Sequence, residues 1–410
     1  MSLVYSIFIQ LYILSIRIAT LFNPKARKWI AGRTNIFRQI EEAVKKDGKK
    51  KKIAWFHCAS LGEFEQGRPV LEAFREKYPD HKIFLTFFSP SGYEIRHKYE
   101  QADWVFYLPS DTKANARKFL DLVDPDLVFF IKYEYWFNYL DELTSRNIPV
   151  YIVSAIFRKG QQFFGWYGGW FRKRLRKITW FFLQDEESET LLRSIGIERE
   201  SISGDTRFDR VFAIASQDGE FPLIQQFCKD SKVILAGSTW PEDESILLPL
   251  CKEEGEKIKF IIAPHEVDSE RITALVSAIG GNILRYSEAA GKDGSSYDIL
   301  VIDSIGILAY LYKYATVAYI GGGFGSGIHN ILEAAAFGVP VIFGPKFSKF
   351  REARDLVNLG GAISISTRNE YEAAFHRFFG DPGYCQQCAG ICMNYVAEKK
   401  GATKRILQRL

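Results

Sequence analysis

Between Gly321 and Pro345 the chain reads GGGFGSGIHNILEAAAFGVPVIFGP, and this stretch limits the fold more than any other. Ala315 to Ile320 (ATVAYI), just ahead of it, is short, apolar and rich in β-branched and aromatic residues, the signature of a buried strand. Five glycines follow within seven residues (321, 322, 323, 325 and 327), so the backbone can take positive φ and nothing shields its amides. The pattern predicts a helix from near Ile328, closed by Gly338-Val339-Pro340, with VPVIFG as the next strand. Strand, glycine loop, helix, strand is a unit of a parallel α/β sheet, and ligands of such sheets sit at the carboxyl ends of the strands. A helix start there would turn unpaired N–H groups and a positive dipole end toward a phosphate. Glu333, one turn in, could accept two hydrogen bonds from a ribose diol, and His329 could reach phosphate. The plainer alternative is a glycine-rich turn, with His329 capping or packing and Glu333 supporting its helix. The dinucleotide fingerprint is not met, which argues against a dehydrogenase.

The rest of the chain repeats this alternation twice. At 410 residues and 47% hydrophobic it can bury a sizeable core in two or three domains. From Ile53 to about Thr206, IAWFHCAS, IFLTFFS, WVFYLPS, LVFFIKYEYW, VYIVSAI and WFFLQD are near-continuously apolar, as strands covered on both faces should be. VILAGSTW, FIIAPHE and ILVID open a second series that runs into the glycine loop. A net charge of +5 demands no nucleic-acid partner, and the six cysteines show no secreted framework spacing. Cys385, Cys388 and Cys392 (i, i+3, i+7) read as metal ligands or as thiols on one helix face; without a second ligand pair the core reading is preferred, and no metal is expected.

Leu3 to Phe22 are twenty mostly apolar residues, long enough to cross a bilayer, interrupted by Gln10 and Arg17. Lys25, Arg27, Lys28, Arg33 and Arg38 all follow this segment and no Lys or Arg precedes it, which by the positive-inside rule predicts a cytoplasmic remainder. The alternative is a helix lying in the interface. The lysine run from Lys45 to Lys52 reads as a solvated linker, or as a contact to anionic headgroups. Gln161 to Phe182, dense in Phe and Trp and carrying Arg172 and Arg174, reads as a docking surface for membrane and acceptor in preference to core with a wet basic face.

Candidate chemistry follows the first strand. In HCASLGE, Glu63 falls at a strand's carboxyl end, near the first turn of a helix, where catalytic groups of open α/β sheets lie. Ser60 and Glu63 also form an S-x-x-E pair, the pattern of a capping box. Gly237-Ser238-Thr239 offers a second small-residue anion cradle.

Taken in order, HCASLGE, FFSPSGYE, FYLPSD, Tyr133-Glu134-Tyr135-Trp136, SAIFR and the HN-x-x-E of the glycine loop resemble the Kdo transferases of lipopolysaccharide assembly. The resemblance implies an α/β GT-B architecture, two Rossmann-like domains facing a cleft, behind an N-terminal membrane-anchor helix. It implies a CMP-Kdo donor, a lipid A precursor as acceptor, an anionic membrane surface as partner, and no cofactor or metal. Glu63 maps onto the proposed general base. Ser60, Gly62, Arg172 and Arg174 would contact the acceptor. Arg207, Ser238, Thr239, His265, Gly322, Gly323, Gly325, Gly327, His329, Asn330 and Glu333 would contact the donor. Trp240, His265-Glu266, Ile307 and Lys349 depart from the family pattern. The expected division is an anchor over 1–22, a basic linker over 23–52, an acceptor domain over 53–212, a nucleotide-sugar domain over 213–384, and helices over 385–410 that return to the first domain. The alternatives are another GT-B transferase, a sugar-nucleotide epimerase, or an inactive binding protein.

Overall fold

The computed structural model describes residues 2–46, 51–217, 219–254 and 258–410. Residues 47–50, the middle of the lysine run, lie outside them. Two compact units emerge, Met1–Arg210 with Gly401–Leu410, and Val211–Lys400.

The first unit is built on seven parallel strands: β1 (Lys52–Cys58), β2 (His81–Phe87), β3 (Trp104–Tyr107), β4 (Leu127–Ile131), β5 (Val150–Ala155), β6 (Trp180–Leu183) and β7 (Glu200–Ile202), in the order β3-β2-β1-β4-β5-β6-β7. Six of these strands are the six apolar runs of the sequence. Their near-continuous hydrophobicity is explained by the two layers they serve. Trp55, Phe84 and Phe130 face one buried cluster, while the adjacent Phe56, Leu85 and Phe129 face the other, as the two-residue period of a strand requires. Order reverses between β1 and β4, which pair through Ala54↔Leu127 to His57↔Phe130.

The second unit repeats the plan with β8 (Lys232–Thr239), β9 (Ile258–Pro264), β10 (Ile283–Arg285), β11 (Ile299–Val301), β12 (Val317–Ile320), β13 (Val341–Phe343) and β14 (Ala362–Ser364), ordered β10-β11-β9-β8-β12-β13-β14. Here order reverses between β8 and β12, paired from Val317↔Ile234 to Ile320↔Gly237. Cys388 and Cys392 are buried in this unit, with the Cys392 thiol on the Gly361 carbonyl at 3.1 Å, and among the described residues no cluster of three His, Cys, Asp or Glu suits a metal.

Helix α1 (Ser2–Ala19) is long and apolar enough to cross a membrane. One stripe of it is nonetheless held to the first unit. The Tyr5 hydroxyl donates to Asp111 at 2.5 Å, Ile9 is buried, and Tyr12 stacks on Phe88. These residues are spaced i, i+4, i+7, one face of a helix. Leu3, Phe8, Leu11, Leu14 and Ile18 are exposed on the remaining surface.

The segment expected to be a basic linker is largely helical. Asn23 caps α2 (Pro24–Ala31) by accepting from the amides of Lys25 and Ala26, with Pro24 in the first helical position. Helix α3 (Ile36–Lys45) buries Ile36 and Ile40 in the first unit's core, and Trp29 of α2 is buried as well. Three buried apolar residues among the charges account for the difference.

At the other end, Pro382–Lys399 is one helix within the second unit, and residues from Gly401 onward belong to the first. Asp209 fixes that junction by accepting from the Gly401 amide at 2.5 Å, the Thr403 amide at 2.8 Å and the Thr403 hydroxyl at 2.9 Å.

Candidate active site

Each sheet places its chemistry at the point where strand order reverses. In the first unit, Ser60 precedes α4 (Leu61–Lys77), and its hydroxyl makes no capping bond to the helix amides. It donates to Glu63 Oε2 at 2.6 Å instead. Among the described residues no donor bonds the other oxygen, Oε1. A Cβ at Gly62 would meet only the Ser60 hydroxyl, at 3.8 Å, so space beside the carboxylate is open. The result is a half-buried carboxylate oriented through one oxygen, the arrangement a proton acceptor needs.

Opposite, the end of β4 bends through Lys132, whose φ is +69°, into Tyr133 and Glu134. Trp136 donates its indole N–H to Glu134 Oε2 at 2.6 Å. Behind them the fully buried His57 lies 3.3 Å from Glu134 through Nε2 and 2.8 Å from the Thr86 hydroxyl through Nδ1. Burial pushes the Tyr133 phenol up, with Arg158 and Arg207 pulling it down and Glu63 and Asp205 pushing it up, so all four charges reach this one ring. Glu134 and Tyr133 were not expected as site residues. The signal was available: Lys132-Tyr133-Glu134, directly after the buried run LVFFI, has to leave the core at a strand's end.

Arg207 is ion-paired with Asp205, through Nε at 2.8 Å and Nη2 at 2.7 Å, at the start of the helix Arg207–Ala215. It lies in the first unit. Arg172 and Arg174 do not stand free for an acceptor. Arg172 donates to the carbonyls of Phe163 and Gly165, both at 3.3 Å. Arg174 donates twice to Asp141, at 3.0 and 2.6 Å, and stacks on Trp170 at 3.6 Å. Their guanidiniums serve the fold, since the partners they reach are carbonyls and a carboxylate of the first unit. Of the aromatic residues in the Gln161 to Phe182 segment, Trp166 at 94% and Tyr167 at 52% are the well-exposed ones.

In the second unit the glycine loop follows β12 and meets the end of β8. A Cβ on Gly321 would stand 2.2 Å from the Ser238 carbonyl, so only glycine permits the two strand ends to lie together. The expected helix begins at Leu332, not near Ile328, and runs only to Ala336. The loop curls on itself instead. The amides of Gly325 and Gly327 both donate to the Gly322 carbonyl, at 3.0 and 3.1 Å, and the His329 amide to Gly321 at 3.1 Å. The Gly322 amide goes to Asp243 at 2.8 Å. These amides therefore are not a phosphate cradle; they hold the loop's shape. Gly323 is required sterically, since a Cβ there would lie 2.6 Å from the Gly344 backbone.

Asp243 is the organiser that no local pattern revealed. This buried carboxylate also accepts from the Trp240 amide at 2.9 Å and the Tyr319 hydroxyl at 2.8 Å, and burial raises its pKa. Thr239 is likewise committed, donating to Glu244 at 2.8 Å, while Ser238 takes a φ of +55°. What faces outward is a ring stack. Trp240 lies on His265 with centroids 4.7 Å apart, and His265 on His329 at 4.4 Å. The Trp240 indole donates to His329 Nε2 at 3.2 Å, and burial, then the neighbouring His265, pushes His329 down to about 4. Beside it Asn330 donates to Glu333 at 3.0 Å. Trp240, His265, His329, Asn330, Glu333 and Ser238 are thus brought to one strand-end region of the second unit.

Comparison with known proteins bears on both regions. Residues 34–210 match the family profile described as 3-deoxy-D-manno-octulosonic-acid transferase (kdotransferase). The chain is similar to the 3-deoxy-D-manno-octulosonic acid transferase of Chlamydophila psittaci, 26% identical over 327 residues, covering 77% of this chain and 75% of that one. With the enzyme of that name from Bordetella pertussis it is 25% identical over 379 residues, covering 87% and 86%. In fold it is similar to a UDP-GlcNAc 2-epimerase from Neisseria meningitidis, with a TM-score of 0.62 at 18% identity over 88% of this chain and 99% of that one. That likeness supports the GT-B plan and says nothing of the reaction.

Proposed function

Because the chain belongs to the 3-deoxy-D-manno-octulosonic-acid (Kdo) transferase family of lipopolysaccharide biosynthesis, we propose that it moves Kdo from CMP-Kdo to a lipid A precursor, with Glu63 as general base. The observation that carries this reading is the Ser60–Glu63 bond of 2.6 Å at the carboxyl end of β1. It orients one carboxylate oxygen and leaves the other for an acceptor hydroxyl.

In a single inverting displacement, the acceptor oxygen bonds to the anomeric carbon of Kdo as the bond from that carbon to the CMP phosphate breaks. The hydroxyl proton passes to Glu63 and the electron pair leaves with the phosphate. General-base assistance of this kind contributes about 10²–10⁴ in rate. The nucleotide would meet the Trp240–His265–His329 face, with Ser238 and Asn330 as neutral hydrogen-bonding partners and Glu333 toward the ribose. Arg207, although paired with Asp205, remains a candidate for the donor's negative charge. Among the described residues no Asp-x-Asp pair is placed to hold a divalent ion, and the transfer is proposed to proceed without metal.

Helix α1 is proposed to attach the enzyme to the cytoplasmic face of the inner membrane by lying along it. A helix bound to its own domain through Tyr5, Ile9 and Tyr12 cannot turn those residues to lipid, whereas its exposed apolar side can enter the headgroup boundary. Trp166 and Tyr167 suit the same layer.

The test is a radiolabel transfer assay with CMP-Kdo generated in situ and a tetraacyl lipid A precursor, in EDTA, with Glu63→Gln alongside. Product from the wild type and none from the variant is expected. A folded wild type that makes no glycolipid would overturn the substrate assignment, and product dependent on added divalent ions would overturn metal independence.

A further inference from the structure

A cavity of about 540 Å³ in the first unit is lined by none of the residues given a catalytic or nucleotide-binding role above. It opens between α1, α2, α3 and the helix Lys113–Val123, and Arg17, Arg33, Arg38 and Lys118 line it without a single carboxylate. Cations gathered around one concavity give it a positive potential that favours an anion.

For three of the four, the partners do not cancel that charge. Arg33 is half-buried and donates to three carbonyls, Leu108 at 2.9 Å, Trp29 at 3.0 Å and Phe88 at 2.8 Å, with the Trp29 ring 3.7 Å from its guanidinium. Carbonyl dipoles and a ring face stabilise a cation without neutralising it, and burial pushes Arg33 down to about 9. Among the described residues neither Arg17 nor Lys118 has a carboxylate at ion-pair distance, and Lys118 instead stands over the Phe37 ring at 4.7 Å. Arg38 alone is paired, with Glu42 at 2.7 Å on the open surface.

The cavity also has an apolar extension. An open groove of about 440 Å³ runs along α1 itself, past Ile7, Leu11 and Leu14 with Ser6 and Gln10 beside them, and Ile13 and Arg17 line both it and the cavity. A cationic cup continuous with an apolar groove matches an amphiphile whose anionic head and hydrocarbon tail lie end to end. We propose that this cavity binds the phosphate headgroup of one anionic membrane lipid, whose acyl chain lies in the α1 groove. The site differs from both the lysine run and the aromatic tip, and it converts a general attraction to the membrane into a stoichiometric one. It rests on the reading that α1 lies against lipid.

The full chain in neutral detergent micelles is examined by native mass spectrometry with phosphatidylglycerol, phosphatidylcholine or inorganic phosphate. One phosphatidylglycerol per chain should be retained, and phosphatidylcholine should not. Arg17→Ala with Lys118→Ala should lower retention at least tenfold, while Lys25→Ala with Arg27→Ala, the same loss of charge outside the cavity, should leave it unchanged. All four side chains are exposed, so the variants should keep the wild-type unfolding temperature. Equal retention by wild type and cavity variant would overturn the proposal, as would equal loss in both variants. Displacement of the lipid by inorganic phosphate at equal concentration would mark a free-anion site and overturn the lipid assignment. Sedimentation with phosphatidylcholine vesicles reads the α1 contact separately; its failure would remove the membrane reading whatever the micelle result.

Discussion

The indole N–H of Trp240 points at Nε2 of His329, 3.2 Å away, and thereby decides which nitrogen of that imidazole carries the proton. An indole can only donate, so Nε2 accepts and the hydrogen sits on Nδ1. A neutral ring with a fixed donor then stands at the glycine loop of a chain in which several expected amide donors are used internally.

Trp240→Phe keeps an aromatic ring in the stack and removes the N–H. Nitrogen-15 NMR of the wild type should show Nδ1 protonated and Nε2 bare, and the variant should shift toward protonation at Nε2. An unchanged spectrum would mean that the indole does not set the tautomer.

The same imidazole makes stability depend on acid. His329 is held at about 4, below its ordinary 6.5. Between those values the unfolded chain binds more protons than the folded one. Stability from this group is therefore fully present above pH 6.5 and is lost as pH falls toward 4. His329→Gln should flatten the fall of unfolding temperature over that window, measured by calorimetry against wild type.

Glu63→Gln should lower kcat by about 10²–10⁴ with little change in the donor's KM, because the amide preserves shape and removes only basicity. Unfolding temperature should hardly move, since the oxygen of the introduced amide can still accept from Ser60. A variant within about threefold of wild-type kcat would remove Glu63 from the role of base.

Arg174→Ala should act on stability and not on the acceptor. Its two bonds to Asp141 and its stacking on Trp170 predict a loss of about 1–3 kcal/mol in denaturant titration. A raised acceptor KM in a variant of wild-type stability would restore the binding role.

Gly321→Ala forces a methyl to 2.2 Å from the Ser238 carbonyl. Backbone has to shift to admit it, a cost of about 1–3 kcal/mol, and chemical denaturation should register it in the second unit.

Much of this architecture is legible from local pattern. Runs such as IAWFHC and LVFFI announce strands buried on both faces, and Glu63 and the glycine loop emerge at strand ends because order along a parallel sheet dictates where chains turn. The failures are also physical. Asn23-Pro24 carried a helix-start signal that the surrounding charges masked. The length of the curled loop was set by Asp243, 79 positions before Gly322, and no window around the glycines contains it. The stack of Trp240, His265 and His329 joins the ends of β8 and β9 to the loop after β12, a meeting that only the strand order reveals. Composition marked Arg172 and Arg174 as available; their partners are two carbonyls folded back within the same segment and Asp141, 33 positions before Arg174.

Ile406 is fully buried in the same cluster as Phe129, Val153 and Phe182. A ribosome therefore emits the first unit's sheet early and its final helix only after the 190 residues of Val211–Lys400 have emerged. Until then the face of that sheet which Ile406 covers is open to other hydrophobic chains, and the first unit reaches its finished core only after the second has had time to fold. The order of synthesis and the order of completion are thus reversed.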